Sequence, residues 1–187
     1  MLGRLVLTKR AVSTCVAQSS VHIRPAQASD RPHVVRIARA VRDAGDAWFW
    51  PPEYSDGALE QYWFEEVAAV GGSTFVAVDD SSDGAVLGAY LIDPVSQGRR
   101  SHVAHGGYMV DPAARGQRVG QRMGEHSLLE AKRRGFLSMQ YNCVVSTNEP
   151  AVRLWQSLGF AIVGTVPRGF AHPTLGLVDS YIMHREL

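Results

Sequence analysis

Between Tyr108 and Gly120 the chain passes from a strand into a helix across a short loop, and no other segment constrains the fold as strongly. Residues 101–110 (SHVAHGGYMV) read as a strand, interrupted by Gly106-Gly107, where paired glycines suggest a bulge or a close approach by another group. A helix is expected over about 116–134, with Val119, Met123, Leu128 and Ala131 on its apolar side and Gly135 after its end. The first amides of such a helix have no intrahelical partner, and the helix dipole adds positive charge there. Gly116 and Gly120 present no side chain, and Arg115 and Arg118 supply charge, so the junction suits a phosphate or pyrophosphate. It lacks the Lys-Ser/Thr ending of a P-loop and the three glycines of a dinucleotide fingerprint. On local spacing alone, an ordinary strand–helix turn with solvated arginines is equally open.

The remaining segments surround this junction with an α/β pattern. A strand at 21–25 precedes a helix that starts near Ser29-Asp30, carries Val34, Ile37, Ala38 and Val41 on one side, and ends at Gly45. Residues 46–54 are a loop containing Pro51-Pro52, followed by a helix with Leu59, Tyr62, Trp63 and Val67 that stops at Gly71-Gly72. Residues 74–79 and 85–92 form a hairpin around an 80–84 turn, and 136–145 form a further strand. A helix over 148–158 ends at Gly159, and final strands span 160–165 and 177–184 with a loop at 167–176 between them. The order β-α-α-β-β-β-α-β-α-β-β implies one mixed sheet.

A chain of 187 residues fits one domain, taken here as 21–187 behind an extension of residues 1–20. That extension carries Arg4, Lys9 and Arg10, and no acid occurs before Asp30. It resembles a transit peptide in composition; an ordinary extension is preferred, which gives a cytoplasmic expectation with the mitochondrial matrix as the alternative. The net charge of +1 and the lack of a basic run interleaved with aromatics argue against nucleic acid. No apolar stretch approaches the roughly 20 residues of a membrane span. Cys15 and Cys143 are the two cysteines, neither in a metal-ligand spacing, and no metal is expected.

The Arg115–Gly120 segment resembles the acetyl-CoA motif Q/R-x-x-G-x-G/A of the GCN5-related N-acetyltransferases (GNAT family). Arg115 matches the first position and Gly120 the last, while Arg118 stands where the central glycine is usual. A second family motif, N-x-x-A followed by (Y)-x-x-x-G-F, resembles Asn148-Glu149-Pro150-Ala151 and Trp155 to Phe160. The tracts Tyr62-Trp63-Phe64, Val103-Ala104-x-x-Gly107-Tyr108 and Tyr141-Asn142-x-Val144-Val145 are similar to a subgroup acting on small, proline-like amino acids. The resemblance implies a GNAT fold: a mixed, mostly antiparallel twisted sheet of about seven strands with four helices. Its two central parallel strands, 101–110 and 137–144, would splay apart to admit coenzyme A.

By the same resemblance, acetyl-CoA would be held by Met109, Val110, Arg115, Gly116, Gln117, Arg118, Val119 and Gly120, with Asn148 and Trp155 from the last helix. The thioester carbonyl would face a main-chain N–H near Gly106-Gly107. Trp155 replaces the family's usual acidic tyrosine and is read as packing against coenzyme or core. Catalytic expectations therefore fall on His105 and Asn142; a free imidazole titrates near 6.5, which suits a base at neutral pH. His102 ranks below His105. Asn148 is also a natural helix N-cap. Cys143 is expected to be a small buried residue rather than a nucleophile.

The aromatic residues Trp48, Trp50 and Tyr54 in the 46–54 loop, with Phe170 in the 167–176 loop, are candidates for the acceptor pocket. The function this implies is transfer of an acetyl group from acetyl-CoA to the amine of a small molecule such as an amino acid. Acetylation of a protein or peptide N-terminus, and a non-catalytic acyl-CoA sensor, are the alternatives. Monomer and homodimer both stay open.

Overall fold

The computed structural model describes residues 21–81 and 84–187. The extension over residues 1–20, with Cys15, and two residues of the 80–84 turn lie outside them. Seven strands form one sheet: β1 Val21–Pro25, β2 Ser73–Asp79, β3 Ala85–Pro94, β4 Val103–Val110, β5 Ser138–Val145, β6 Ala161–His172 and β7 Gly176–Glu186. Their order across the sheet is β1-β2-β3-β4-β5-β7-β6. Only β4 and β5 run parallel; every other neighbouring pair is antiparallel. The helices are α1 Arg31–Ala44, α2 Asp56–Gln61, α3 Val67–Ala69, α4 Val119–Arg133 and α5 Glu149–Ser157. A π turn, Tyr62–Glu66, joins α2 to α3 into one rod, which leaves the four helical bodies expected.

The sheet separates two apolar cores. On one face α1 and the α2–α3 rod cover Val76, Val78, Ala89, Leu91 and Met109, with Ile37, Leu59 and Trp63 fully buried among them. On the other, α4 and α5 cover Phe75, Tyr90, Ala104, Met139, Tyr141 and Met183. Alternation along each strand produces this division, since successive side chains point to opposite faces.

Several expected boundaries shift, each for a local reason. Helix α4 begins at Val119 rather than near 116, because Gly116 (φ 81°) and Arg118 (φ 59°) adopt left-handed backbone that a helix cannot contain. Strand β4 begins at Val103, after a 3-10 turn at Gly98–Arg100. The loop expected at 167–176 is mostly strand: β6 continues to His172. Its Pro167 and Gly169 are accommodated on an edge strand by a register shift between Val166 and Phe170, where Arg168 takes φ 55°. The bulge considered at Gly106-Gly107 is absent, and β4 runs in unbroken register with β3. Asp30 does not cap α1 with its side chain; it accepts from the Gln27 amide and pairs with Arg24. Gly45 ends α1 as expected, at φ 64°, with its amide bonded to Val41.

Candidate active site

Strands β4 and β5 pair at two positions, Val103 with Ser138 and Ala104 with Met139, and then part. The register of β4 against β3 shows which groups the parting exposes. The Asp111 amide donates to Leu87 and the Val95 amide to Val103, so odd-numbered β4 residues turn their N–H and C=O toward β3. The even-numbered Gly106, Tyr108 and Val110 turn theirs away, into the gap that β5 has left. Met109 therefore lends its amide to the sheet and its side chain to the core, and Gly107 likewise faces β3. A ligand entering the gap meets the main chain of Tyr108 and Val110, with the Gly106 amide at its inner end.

The outer end of this edge meets the loop before α4. Asp111 fixes the loop: its carboxylate accepts from the Ala113 amide at 2.9 Å and from Arg36 at 2.6 Å. Burial pushes the Asp111 carboxyl up, but Arg36 and the Ala113 amide outweigh it and hold the group below the usual carboxylate range. The chain then turns through Gly116 and Arg118 so that Val119, Gly120 and Gln121 present the first amides of α4 with no intrahelical partner. Neither Arg115 nor Arg118 forms an ion pair with a described residue. Gly120 sits against Leu154 and Val110, where an added Cβ would make ordinary contacts at 3.4 and 3.7 Å.

These pieces line a cleft of ≈ 750 Å³ that runs from Arg115, Gly116, Arg118, Val119 and Gly120 past Val110 and Tyr108 to Asn148, Ala151 and Trp155. It joins a smaller chamber of ≈ 310 Å³ lined by Trp48, Phe49, His105, Gly106, Gly107, Tyr141, Asn142 and Cys143. Tyr108, Asn148, Ala151, Trp155 and Trp48 border both. Asn148 caps α5, accepting from the Ala151 amide at 3.2 Å.

Two tryptophans flank the gap from opposite faces of the sheet. Trp48 stacks on Trp50 at 4.2 Å, lies so close over Gly107 that a Cβ there would stand 2.6 Å from its ring, and donates its indole N–H to the Tyr108 carbonyl at 3.1 Å. Trp155 packs against Tyr108 and Tyr141 with ring centroids 4.6 and 4.8 Å away. The Gly106-Gly107 pair thus answers to close approach, by Trp48 at Gly107 and by the Tyr108 hydroxyl at Gly106, where a Cβ would meet it at 2.8 Å.

Polar chemistry in the chamber comes from three places. His105 Nδ1 lies 3.1 Å from Asp93 Oδ1. Asn142 and Cys143 stand exposed where β5 shifts register against β7 between Tyr141 and Val144. Beneath Trp155, the Tyr108 hydroxyl contacts Ser127 Oγ at 2.7 Å and the Tyr141 hydroxyl at 2.9 Å. Burial pushes the Tyr108 phenol up to about 12 and also holds the Tyr141 phenol well above its ordinary value, so both are protonated at neutral pH.

Of the residues singled out in the sequence, Val110, Arg115, Gly116, Arg118, Val119, Gly120, Asn148 and Trp155 line the cleft together, and Met109 also borders it. Gln117 is exposed beside the loop and lines neither space; its amide donates to Ala114. His105, Asn142 and Trp48 meet in the chamber. Trp50 is buried beneath Trp48, Tyr54 packs on the same core, and Phe170 is buried on β6 opposite Val178; none of the three lines the cleft or the chamber. His102 sits exposed before β4, also outside. Cys143 is exposed, contrary to the buried position expected, because the register shift in β5 turns it outward. Asp93 is not marked by any motif, and Tyr108 and Tyr141 appear in the sequence only as members of longer tracts, because the contacts of all three depend on cross-strand neighbours that no local pattern marks. Among the described residues no cluster of His, Cys, Asp and Glu is arranged to hold a metal.

Comparison with known proteins agrees with this arrangement. Residues 39–160 match the acetyltransferase (GNAT) family. The chain belongs to the GNAT family. Over 98 residues it is 37% identical to N-acetyltransferase aca1 of Schizosaccharomyces pombe; this stretch is 52% of the chain and 47% of that relative, so the chain matches about half the length of the curated protein. A GCN5-related N-acetyltransferase from Kribbella flavida superimposes with a TM-score of 0.84 at 40% identity, over 89% of this chain and 98% of that one. A GNAT superfamily phosphinothricin acetyltransferase from Sinorhizobium meliloti, in complex with acetyl-CoA, has the same fold, with a TM-score of 0.79 at 21% identity over 89% and 88% of the two chains. Within the GNAT pattern this chain departs at Arg118, which holds a left-handed conformation usually given to glycine, and at Trp155, which stands in place of an acidic tyrosine.

Proposed function

We propose that the chain is an acetyl-CoA-dependent N-acetyltransferase for a small amine, with an amino acid or a close relative as the acceptor class. The observation that carries this reading is the continuous path from the free amides of α4, along the unpaired edge of β4, into an aromatic chamber holding His105 and Asn142. Free amides and two arginines that form no ion pair with a described residue fit a diphosphate. An unpaired strand edge fits the amides of a pantetheine arm, which would add to it as a strand does.

The residues then divide the work. Arg115, Arg118 and the first amides of α4 hold the diphosphate, and Tyr108 and Val110 align the arm. The Gly106 amide faces the position where charge builds on the thioester oxygen. The side chain of Asn142 orients the acceptor. His105 takes a proton from the incoming ammonium so that a neutral amine attacks. Trp48 and Trp155 exclude water from both faces of the gap.

The ≈ 310 Å³ chamber suits a small acceptor better than a peptide chain. The test is calorimetry with coenzyme A, followed by an acceptor screen with acetyl-CoA in which mass spectrometry detects acetylated product. Coenzyme A binding with product from free amino acids is the expected result. Product only from peptides would transfer the reading to N-terminal acetylation. Tight binding with no thiol release against any acceptor would leave a sensor. No binding at all would overturn the proposal.

A further inference from the structure

Asp93 and His105 face each other across β3 and β4 as a register pair, on the α1–α3 side of the sheet. Both are largely buried, with side-chain exposures of 19% for Asp93 and 28% for His105. The contact runs from Asp93 Oδ1 to His105 Nδ1 at 3.1 Å. A carboxylate only accepts, so a hydrogen bond across this contact requires the proton on the imidazole Nδ1 and leaves Nε2 as the basic nitrogen. The His105 ring lines the acceptor chamber, whereas Asp93 does not. The pair is therefore built in series, with carboxylate behind imidazole and imidazole toward the space where an amine would sit.

The surroundings hold Asp93 in place. Gly72 has no side chain at the point where a Cβ would stand 2.7 Å from Asp93 Cβ, 2.8 Å from the Ile92 carbonyl and 2.8 Å from Val67. The stop after the α2–α3 rod thus leaves room for the carboxylate on its strand. Tyr62 lies near enough that the Asp93 charge, after burial, raises its phenol, so Tyr62 faces Asp93 as a neutral group. No described arginine or lysine forms an ion pair with Asp93, which leaves His105 as its cationic partner when the imidazole is protonated.

We propose that Asp93 is the positioning residue for His105: it fixes the Nδ1–H tautomer and steadies the imidazolium formed when Nε2 takes a proton from the acceptor. This rests on the acetyltransferase reading given above. The ammonium R–NH3+ gives one proton to Nε2. The neutral amine forms a C–N bond to the thioester carbon, and the C–S bond breaks with its electron pair on sulfur. The second proton leaves nitrogen and ends on the departing thiolate as CoA–SH, and the imidazolium returns the first to solvent. The sum is R–NH3+ plus acetyl-CoA giving the amide, CoA–SH and H+.

Long-range proton–nitrogen spectra of the histidine rings test the assignment in the full chain. Seven histidines contribute, and His105→Gln identifies the signals of interest by their loss. The wild-type ring is expected in the Nδ1–H form, and Asp93→Asn is expected to shift it toward Nε2–H. With acetyl-CoA and the best acceptor from an amino-acid panel that includes L-proline, Asp93→Asn should lower kcat by about ten- to a hundredfold with an unchanged KM for acetyl-CoA. It should add little further loss when combined with His105→Gln. A wild-type ring in the Nε2–H form, or an Asp93→Asn enzyme with wild-type kcat, would overturn the proposal. The wild-type spectrum decides the tautomer even where the variant fails to fold. Calorimetry with coenzyme A on the same samples separates the two readings: binding with the wrong tautomer removes the dyad alone, and absence of binding removes both.

Discussion

The indole N–H of Trp48 donates to the main-chain carbonyl of Tyr108 at 3.1 Å, on the strand edge that β5 leaves unpaired. One side chain from the α1–α2 connection thereby occupies an acceptor that an extended ligand along β4 would also seek. Trp48→Phe keeps a ring over Gly107 and against Trp50 but removes the donor. Its expected cost is about 1 kcal/mol of stability by thermal or urea unfolding. Because the indole competes for the Tyr108 carbonyl, coenzyme A affinity by calorimetry should stay level or rise in this variant; a large fall would show that the indole N–H supports the bound state instead.

Gly107→Ala tests the same contact from the strand. The added Cβ would stand 2.6 Å from the edge of the Trp48 ring, so the ring must move. A cost of roughly 1–3 kcal/mol in unfolding free energy is expected, as for other overpacked sites. With Trp48 displaced, the KM for the acceptor should rise more than the KM for acetyl-CoA.

Arg118 combines charge with backbone strain. A non-glycine residue at φ 59° costs on the order of 1 kcal/mol, and Arg118→Gly removes that strain along with the guanidinium. The variant should unfold at an equal or higher temperature while binding coenzyme A about fivefold more weakly, with a shallower salt dependence. Arg115→Ala should weaken binding similarly with no gain in stability.

Cys143 offers a chemical probe of the chamber. It is exposed and free, on the segment of β5 that shifts register. In a Cys15→Ser background, a maleimide at Cys143 should block acetyl transfer while coenzyme A still binds in calorimetry. Unchanged turnover after complete labelling, read by intact mass, would place the acceptor elsewhere.

Acid stability should depend on Glu130 at the end of α4. The Arg133 guanidinium, against the opposing effect of burial and with help from Arg134, holds its carboxyl down to about 2. A carboxyl whose folded value is depressed contributes stability above its unfolded value of about 4.3, and that contribution is lost as pH falls toward the folded one. Glu130→Gln should therefore be less stable than wild type at neutral pH and converge with it as pH falls from about 5 to 2, measured by urea midpoints.

The amino-acid order by itself determined most of the strands and helices, though not the strand that runs through 167–172, and it also determined where the glycine-containing junction before α4 lies, that α1 ends at Gly45 and that Asn148 caps α5. Those features follow from local causes: apolar spacing, capping side chains and glycine's backbone freedom. It also marked the pair at positions 106 and 107 as either a bulge or a place of close approach, and the unbroken register of β4 leaves the second. Tertiary structure alone decided what approaches, because Trp48 lies some sixty residues away in sequence and reaches Gly107 only after α1 packs on the sheet. It likewise decided that Trp50 and Phe170 are buried away from the cleft and the chamber, that Cys143 faces out, and that Asp93 pairs with His105 across the strands. These outcomes depend on strand register, and register is set by the fit of two whole strands across the sheet rather than by any residue's neighbours in the chain.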